Sequence, residues 1–425
     1  MLLRTIDDVA NYSVDDIVID EHWNVGEQKE LRIHSIHAYP AKFPAFITTK
    51  ALQYAKDQGI NVHSIADVFC GCGTVAVEAK INNIDFWGCD INPVATLIAK
   101  VKSSDYSIEK VKEYYSSILN NVAVNNIEQS TFNTANERLR YWFEQEQYTD
   151  LLKYYQAINT IKDTKYKNLF KCIFSSSLKS SSKWLAKSIK PQIDPNKKTL
   201  PVCNIFRLQY QKFLKAYKEN ERSTAKITIE NANFLRKRTI PKVDLIVTSP
   251  PYVTSYEYAD LHQLSSLWLE YTDDYKKLRK GTIGSIHNSE DYYFETLDLN
   301  NAGRTIITQL RQAQGIQNTK IKAIARYYTD MQKTAIKCYT MLRNNGIALF
   351  VLGDTEYKGI KIENSRHLSE ALLRSGFAEV RIVKRKISNK LLTPYRDKNG
   401  KFSKDKNSRT IYHEEFVILG RKNDA

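Results

Sequence analysis

The stretch Val243-Asp-Leu-Ile-Val-Thr-Ser-Pro-Pro-Tyr252 is an apolar run that ends in two prolines and an aromatic ring. Its aliphatic first half has the length and the β-branched content of a strand that is buried on both faces of a sheet. Pro250 and Pro251 end this strand, because neither has a backbone N–H and both restrict the backbone. The carbonyls of Ser249 and Pro250 therefore lie on a stiff backbone without ladder partners.

Rigid acceptors beside an aromatic ring are a candidate binding site for a planar base. The Ser249 hydroxyl and the two carbonyls can accept both hydrogens of an exocyclic amine, while Tyr252 stacks on the base that carries the amine. The alternative is an ordinary strand followed by a proline turn, or a polyproline ligand for a small domain.

A second informative stretch, Asp67-Val-Phe-Cys-Gly-Cys-Gly73, lies at the end of another predicted strand. Gly71 and Gly73 would let the backbone approach a ligand closely, and Thr74 is predicted to cap the helix that follows. Ala76 occupies the position of the third glycine in dinucleotide-binding turns. The pattern therefore favours a cofactor without phosphates over a pyrophosphate.

Two more predicted strands end in polar residues. The strand near residues 84–90 ends in Asp90, at the place where α/β folds hydrogen-bond ribose hydroxyls. The alternative for Asp90 is a cap for the helix that begins at Pro93. A later strand, within residues 226–235, carries Asn231 at its tip.

The 425-residue chain is strongly basic, with a formal net charge of +16 and a pI of about 9.3. This charge favours a polyanionic partner, foremost nucleic acid. None of the six cysteines forms a Cys-x-x-Cys pair, and His34 and His37 lack a third ligand, so no metal site or disulfide framework is expected. The chain has neither an apolar signal region nor the ~20 apolar residues of a membrane span, which predicts a soluble protein of the bacterial or archaeal cytoplasm.

The length suggests one large domain with insertions or two to three ordinary domains. Residues 1–33 are assigned to an N-terminal arm, and an α/β core is predicted from residues 34–102, 223–255 and 331–425. Apolar residues at helical spacing mark a mostly helical insertion at 103–222 and a second helical excursion at 256–330.

Three segments are candidates for contact with the target. They are the 103–222 insertion, the 256–330 excursion and the loop at 384–409, which is rich in lysine and arginine. Lysines around residues 175–198 of the insertion either follow phosphates or belong to a solvated linker.

These motifs, in this order, resemble the amino-group DNA methyltransferases that use S-adenosylmethionine and carry a Ser-Pro-Pro-Tyr motif. Asp67–Gly73 looks like their cofactor loop, Asp90 like their ribose-binding acid and Ser249–Tyr252 like their catalytic motif. Tyr39-Pro-Ala-Lys-Phe-Pro44 is similar to the N-terminal motif that closes over the methionine end of the cofactor. The resemblance covers about residues 39–100 and 226–420.

The resemblance implies a doubly wound α/β fold of the class I methyltransferase, Rossmann-like type. Its seven-stranded, mostly parallel sheet has helices on both faces and a terminal antiparallel pair, and its sites lie at the carboxyl edge of the strands. The implied catalytic residues are Ser249, Pro250, Pro251 and Tyr252. The implied cofactor residues are Tyr39, Pro40, Ala41 and Phe43 over the methionine end, Asp67, Phe69, Gly71, Gly73 and Thr74 in the loop, Asp90 on the ribose, Ile91 on the adenine face, and Asn231 with Ala232 at the adenine edge, where the family more often has Asp instead of Asn.

The implied reaction is direct methyl transfer to an exocyclic nitrogen of a base that is flipped out of double-stranded DNA, within a restriction-modification system that includes a cognate endonuclease. None of the cysteines follows a proline, unlike the nucleophile of enzymes that methylate ring carbon 5. Serine at the first motif position resembles the cytosine-N4 enzymes, whereas Asp or Asn is usual for adenine-N6.

Four alternatives remain open. They are an adenine-N6 methyltransferase, an RNA base methyltransferase, a non-catalytic subunit that binds cofactor and DNA, and a fused nuclease suggested by Glu356-Tyr-Lys358.

Overall fold

A mixed β-sheet forms the centre of the structure, which is a computed structural model. The structure describes residues 1–27, 29–219, 223–253, 257–287, 298–387, 395–396, 405, 409–410 and 414–424. Within these residues, eight strands form the central sheet and two short pairs lie outside it. The strands are β1 (Leu2–Leu3), β2 (Ser64–Asp67), β3 (Asp85–Asp90), β4 (Ile227–Asn231), β5 (Val243–Thr248), β6 (Leu342–Leu352), β7 (Thr355–Tyr357), β8 (Ile360–Ile362), β9 (Glu379–Lys386), β10 (Tyr395–Arg396), β11 (Arg409–Thr410) and β12 (Glu414–Arg421).

Helices surround this sheet and form the inserted segments. They are α1 (Ile6–Asn11), α2 (Ala45–Asp57), α3 (Thr74–Ile81), α4 (Pro93–Ser103), α5 (Ile108–Val124), α6 (Glu137–Trp142), α7 (Gln145–Asn159), α8 (Thr164–Ser181), α9 (Val202–Tyr217), α10 (Tyr258–Leu261), α11 (Gln263–Trp268), α12 (Asn301–Gln312), α13 (Asn318–Met341) and α14 (Asn364–Arg374). Among the described residues, no helix is both long and apolar enough to cross a membrane.

The strand order across the sheet is β1-β9-β12-β6-β5-β2-β3-β4. Strands β6, β5, β2, β3 and β4 pair in parallel, whereas β12 runs antiparallel to both of its neighbours, β6 and β9. The predicted doubly wound α/β fold with a terminal antiparallel pair is confirmed, and it is consistent with a class I methyltransferase fold. The two residues of β1 add an eighth strand to the predicted seven by pairing with β9.

Strand β5 is buried on both faces, as its aliphatic sequence predicts. Leu245 and Val247 pack in one cluster with Ile47 of α2, whereas Ile246 packs in another cluster with Ile324 of α13. Successive side chains of a strand point to opposite faces, so the run needs apolar partners on both sides. The sheet is therefore the middle layer between helices.

The N-terminal arm lies along β9. The amino group of Met1 donates to the carbonyl of Ile382 at 2.9 Å, and the N–H of Asp20 donates to the carbonyl of Lys384 at 2.9 Å. Trp23 is fully buried in the cluster that also contains residues of α2. The arm thereby covers the edge of β9, which would otherwise expose unpaired backbone groups.

The 103–222 insertion and the 256–330 excursion share an aromatic core with α4. Trp268 of α11 packs against Tyr148 of α7 and Phe174 of α8, with ring centroids 4.9 and 5.5 Å apart. The same cluster buries apolar residues that recur at helical spacing in the sequence, namely Val111, Ile118, Leu151, Tyr155 and Ile158. The two segments are therefore packed together beside the sheet.

The glycine turn between β2 and α3 differs from its predicted role at two positions. Gly73 has φ of +77°, and a Cβ added to it would lie 2.6 Å from the Cβ of Ala99 in α4. Gly73 thus allows two helices to approach each other rather than a ligand to approach the loop. The prediction that Thr74 caps α3 is wrong, because Gly73 occupies the N-cap position and Thr74 is the first helical residue.

The Gly73→Ala substitution is expected to destabilise the protein by more than Gly59→Ala does. Gly59 has nearly the same φ, +76°, but no atom lies within 4 Å of an added Cβ. Both variants carry the left-handed backbone cost of about 1–2 kcal/mol, and Gly73→Ala adds a clash that costs about 1–3 kcal/mol. Equilibrium urea unfolding of the two variants measures the difference. Equal losses would show that the contact with Ala99 imposes no constraint.

Candidate active site

A cavity of about 1150 Å³ opens at the carboxyl ends of the central strands. This volume lies slightly above the roughly 300–1,000 Å³ of a typical small-molecule pocket. The structure brings most of the predicted site residues together in its lining, namely Tyr39, Ala41, Phe43, Asp67, Phe69, Gly71, Thr74, Asp90, Ile91, Ala232, Ser249, Pro250, Pro251 and Tyr252.

A buried hydrogen bond joins the two predicted motifs. Thr248, the last residue of β5, donates through its hydroxyl to Oδ1 of Asp67, the last residue of β2, at 2.6 Å. The N–H of Phe69 donates to the same oxygen at 3.1 Å. Burial raises the pKa of Asp67 to about 7 despite these bonds, and the nearby charge of Asp90 acts in the same direction. No described residue donates a hydrogen bond to the second oxygen, Oδ2.

Asp90 is held by backbone groups on both of its oxygens. The N–H of Gly71 donates to Oδ2 at 2.9 Å, and the N–H of Asn92 donates to Oδ1 at 2.8 Å. Burial raises the pKa of Asp90, whereas these two bonds lower it. A carboxylate has about four acceptor positions, so Asp90 can still accept hydrogen bonds from a diol. The alternative role of Asp90 as a helix cap is wrong, because Asn92 caps α4.

The Ser249 hydroxyl is oriented by the neighbouring strand. It donates to the carbonyl of Val351, near the end of β6, at 2.9 Å. Because the only hydroxyl proton is used in this bond, the lone pairs of the oxygen remain available as acceptors. Ser249 therefore offers an acceptor, not a donor, to a ligand.

The Tyr252 ring is fixed through an ion pair of the antiparallel strands. Its hydroxyl donates to Oε2 of Glu415 at 3.1 Å, and Oε1 of Glu415 accepts from Nε of Arg385 at 2.6 Å. Glu415 and Arg385 face each other in register on β12 and β9, and both are buried. Burial raises the pKa of Tyr252, and the Glu415 charge raises it further, so the phenol stays neutral.

Tyr39 lies over the glycine loop. Its ring stacks on His262, with centroids 5.0 Å apart, and an added Cβ at Gly71 would lie 3.6 Å from the ring. Burial lowers the pKa of His262 to about 3, and it raises the pKa of Tyr39. Both rings are therefore uncharged; Tyr39 lines the cavity, and His262 packs behind it.

Three predicted residues do not line the cavity: Pro40, Gly73 and Asn231. The amide of Asn231 instead donates to the carbonyls of Asp90 and Ile91, at 2.9 and 3.0 Å. Asn231 thus ties the end of β4 to the end of β3. Asn233, two residues later, does line the cavity.

Sequence reasoning placed Lys190 and Arg385 only in candidate basic segments, and it missed other lining residues, namely Arg138, Ile189, Pro191, Asn233, Gln263, Tyr275 and Glu415. Arg385 and Glu415 carried a usable signal, because opposite charges fall at paired positions of two predicted antiparallel strands. Arg138 and Gln263 carried none, because they are 125 residues apart and meet only in the fold.

Two lysines of the basic segment in the insertion donate hydrogen bonds to backbone carbonyls. In the insertion, Lys179 donates to the carbonyl of Ser188, and Lys197 donates to those of Lys179 and Trp184, all at 2.8 Å. These bonds fold the segment around the buried Trp184, so Lys179 and Lys197 have a structural role there. In the 384–409 loop, the lysine and arginine side chains from residue 388 onward lie outside the described residues.

His34 and His37 each have a partner of their own. His34 Nε2 lies 2.8 Å from Oε1 of Glu78, and His37 Nε2 lies 2.8 Å from the hydroxyl of Ser175. Within the described part of the chain, no group of three histidine, cysteine or acidic residues is placed to hold a metal ion.

The fold and the site together have the features of a methyltransferase: a mostly parallel sheet, acids at the ends of β2 and β3, and a Ser-Pro-Pro-Tyr segment at the end of β5. The chain is 22% identical over 427 residues to the Type II methyltransferase M.MvaI of Kocuria varians, across 92% of this chain and 91% of that protein. It is also 34% identical over 95 residues to the Type II methyltransferase M.MjaII of Methanocaldococcus jannaschii, across 22% of this chain and 17% of that protein. These relatives support a methyltransferase.

No protein-family model matches the chain. Among solved structures, the rRNA methyltransferase aviRa from Streptomyces viridochromogenes aligns with 93% of this chain and 94% of its own, with a TM-score of 0.31 and 9% identity. This similarity is too low to support a fold or a function.

The Asp67→Asn substitution is expected to stabilise the ligand-free protein increasingly as pH rises. Burial raises the pKa of Asp67 to about 7 from 3.8, so the folded state binds the proton more tightly than the unfolded chain. The free energy of unfolding of the wild-type protein therefore falls between about pH 4 and pH 7. The amide of the variant does not titrate, and its oxygen can still accept the hydrogen bond from Thr248. We expect the advantage of the variant to grow by about 2 kcal/mol between pH 5 and pH 8, as measured by urea unfolding.

Asp244→Asn is the matched control. Burial acts to raise the pKa of Asp244, but hydrogen bonds from Ser64, Arg343 and His63 outweigh it and hold this pKa below 3.8. Its effect on stability should therefore be the same at pH 5 and pH 8. A constant offset for Asp67→Asn over the same range would contradict the raised pKa.

Proposed function

We propose that the chain is an S-adenosylmethionine-dependent DNA methyltransferase that methylates the exocyclic N4 of a cytosine flipped out of double-stranded DNA. The relatives named type II methyltransferases support a DNA substrate. A restriction-modification system with a cognate restriction endonuclease is part of the proposal. The net charge of +16 supports the same substrate class.

The residues around the glycine loop fit the proposed methyl donor. Thr74 lines the cavity, and its buried hydroxyl has no hydrogen-bond partner among the described residues. Asp67 offers an oxygen for an ammonium group, and Asp90 offers acceptors for ribose hydroxyls. When bound, S-adenosylmethionine supplies a methyl group on a sulfonium, which is an electrophilic carbon. No phosphate has to be held, in keeping with Ala76 at the third glycine position.

The orientation of Ser249 is the observation that carries the proposal. Its proton is committed to Val351, so its oxygen can accept one hydrogen of an exocyclic amine, and the Pro250 carbonyl is proposed to accept the other. Holding both hydrogens leaves the nitrogen lone pair directed at the methyl carbon. In this arrangement Ser249 and the Pro250 carbonyl would only orient the amine, and the proton lost on methylation would pass to solvent, because neither acceptor is a base.

Tyr252 is proposed to hold the ring of the base. Its hydroxyl is tethered to the buried Glu415–Arg385 pair, so the aromatic face keeps a fixed direction. Stacking on this face would offset part of the cost of taking the base out of the duplex. The glycine loop and the Ser-Pro-Pro-Tyr segment line the same cavity, so a base held at Tyr252 would lie in the same space as the donor.

Incubation with labelled S-adenosylmethionine and mixed-sequence duplex DNA is expected to give N4-methylcytosine, because serine opens the motif. Mass spectrometry of the digested nucleosides identifies the product. N6-methyladenine would assign the adenine alternative, and label in RNA but not in DNA would overturn the substrate.

The Ser249→Ala variant is expected to lose about a hundredfold or more in kcat, the cost of removing one oriented hydrogen bond at a reacting group. Its affinity for S-adenosylmethionine should remain unchanged. Ser369→Ala is the matched control, since Ser369 also donates to a backbone carbonyl at 2.9 Å, but it is buried in α14 and lies outside the cavity lining. Full activity of Ser249→Ala would remove the role of this hydroxyl.

A further inference from the structure

The insertion and the excursion meet at one wall of the cavity. Nε of Arg138, on α6, donates to Oε1 of Gln263, on α11, at 2.6 Å. The indole N–H of Trp142 donates to the same oxygen at 2.9 Å, and the amide nitrogen of Gln263 donates to the carbonyl of Asp260 at 2.8 Å. Gln263 is fully buried, so it presents Arg138 from a fixed position.

Aromatic rings surround the guanidinium of Arg138. Its central carbon lies 4.7 Å from the ring centroid of Tyr141, 5.4 Å from that of Trp142 and 5.6 Å from that of Tyr275. Guanidinium groups interact favourably with such rings because their charge is delocalised over a planar fork. The rings hold the group in place without neutralising its charge.

Arg138 differs in its partners from two other cations of the cavity lining. Arg385 is paired with Glu415, and Lys42 is paired with Glu30. In the described part of the chain, Arg138 pairs with no carboxylate, and its two terminal nitrogens, Nη1 and Nη2, make no hydrogen bond. An oriented and uncompensated guanidinium at the edge of a cavity is suited to an anionic oxygen group, which it can bind through two parallel hydrogen bonds.

Two sources of such an anion are a DNA phosphate and the carboxylate of the methyl donor. The residues proposed for the cofactor all lie in the α/β core, at positions 39–91 and 231–232. Arg138 and Gln263 both lie in the segments inserted into that core. We propose that Arg138 binds a backbone phosphate of the DNA strand that carries the flipped base, an inference that rests on the proposed function.

The proposal assigns a task to both inserted segments. The insertion supplies the charge, and the excursion supplies Gln263, which sets its direction. A phosphate held at the edge of the cavity would fix the strand next to the base while the base occupies the space beside Ser249 and Tyr252. Phosphate contacts position a protein on DNA without reading sequence.

The test compares wild-type protein with Arg138→Gln, Arg138→Lys and Arg140→Gln. Arg140 is on the same helix, donates to the carbonyl of Ala135 and does not line the cavity. Binding to a mixed-sequence duplex is measured at several salt concentrations, and binding of S-adenosylmethionine is measured without DNA. Thermal unfolding confirms that each variant is folded, and methyl transfer by the wild-type protein is assayed separately.

Arg138→Gln is expected to bind DNA about tenfold more weakly and to lower the slope of log K against log salt by about one, with unchanged cofactor affinity. Arg138→Lys should restore the slope but not the full affinity, because it keeps the charge and loses the fork. Arg140→Gln should match the wild-type protein. Restoration of the slope by lysine is a result that a purely structural role would not give.

Unchanged DNA binding by Arg138→Gln would overturn the inference. So would a loss of cofactor affinity with DNA binding intact, which would assign Arg138 to the carboxylate of the methyl donor. Absence of methyl transfer by the wild-type protein would contradict the proposed function instead, and it is read in a different assay.

Discussion

The hydrogen bond from Thr248 to Asp67 is the contact on which the geometry of the site depends. It joins the last residue of β5 to the last residue of β2, and these two strands are adjacent and parallel. Both strands end at these residues, and the chain continues from each into a loop. Above it, the glycine loop turns toward α3 and the Ser-Pro-Pro-Tyr segment turns toward the excursion. Because adjacent parallel strands end at the same edge, one short bond sets the separation between the proposed cofactor and the proposed base.

The local sequence alone was sufficient to predict the site residues that lie at the end of a strand or directly after it. The ends of β2, β3 and β5 could be located from aliphatic runs and their terminating residues, and Asp67, Asp90 and Ser249 do line one cavity. The local sequence was not sufficient to predict which residues of the turns contact a ligand. In sequence, Gly73 resembles a glycine that contacts a ligand. In the structure, a side chain at this position would clash with Ala99, which lies 26 residues away in the chain.

The end of β4 shows the same limit. Asn231 has the sequence position of a ligand contact, but its amide is used between strands, and Asn233 reaches the cavity. A difference of two residues keeps a side chain on the same face of a strand, so periodicity cannot separate the two. Only the end of the strand, where the backbone turns, decides which side chain reaches the ligand space.

The inserted segments could be recognised as helical but not placed. Their shared core is built from aromatic contacts such as that between Trp268 and Phe174, which are 94 residues apart. Such contacts depend on the packing of whole helices, and no short motif records them. The sequence left open which segment faces the target, and the structure places parts of both in the lining of one cavity.

The two sides of the cavity favour ligand groups of opposite charge. Near the glycine loop, burial raises the pKa of both Asp67 and Asp90, so negative charge there is unfavourable until a cation arrives. At the wall formed by the inserted segments, Arg138 is positive and has no carboxylate partner in the described chain. The proposed methyl donor, a cation, would be favoured at the first side, and the proposed DNA substrate, a polyanion, would be favoured at the second. The electrostatics of the cavity thus favours different sides for the two proposed ligands.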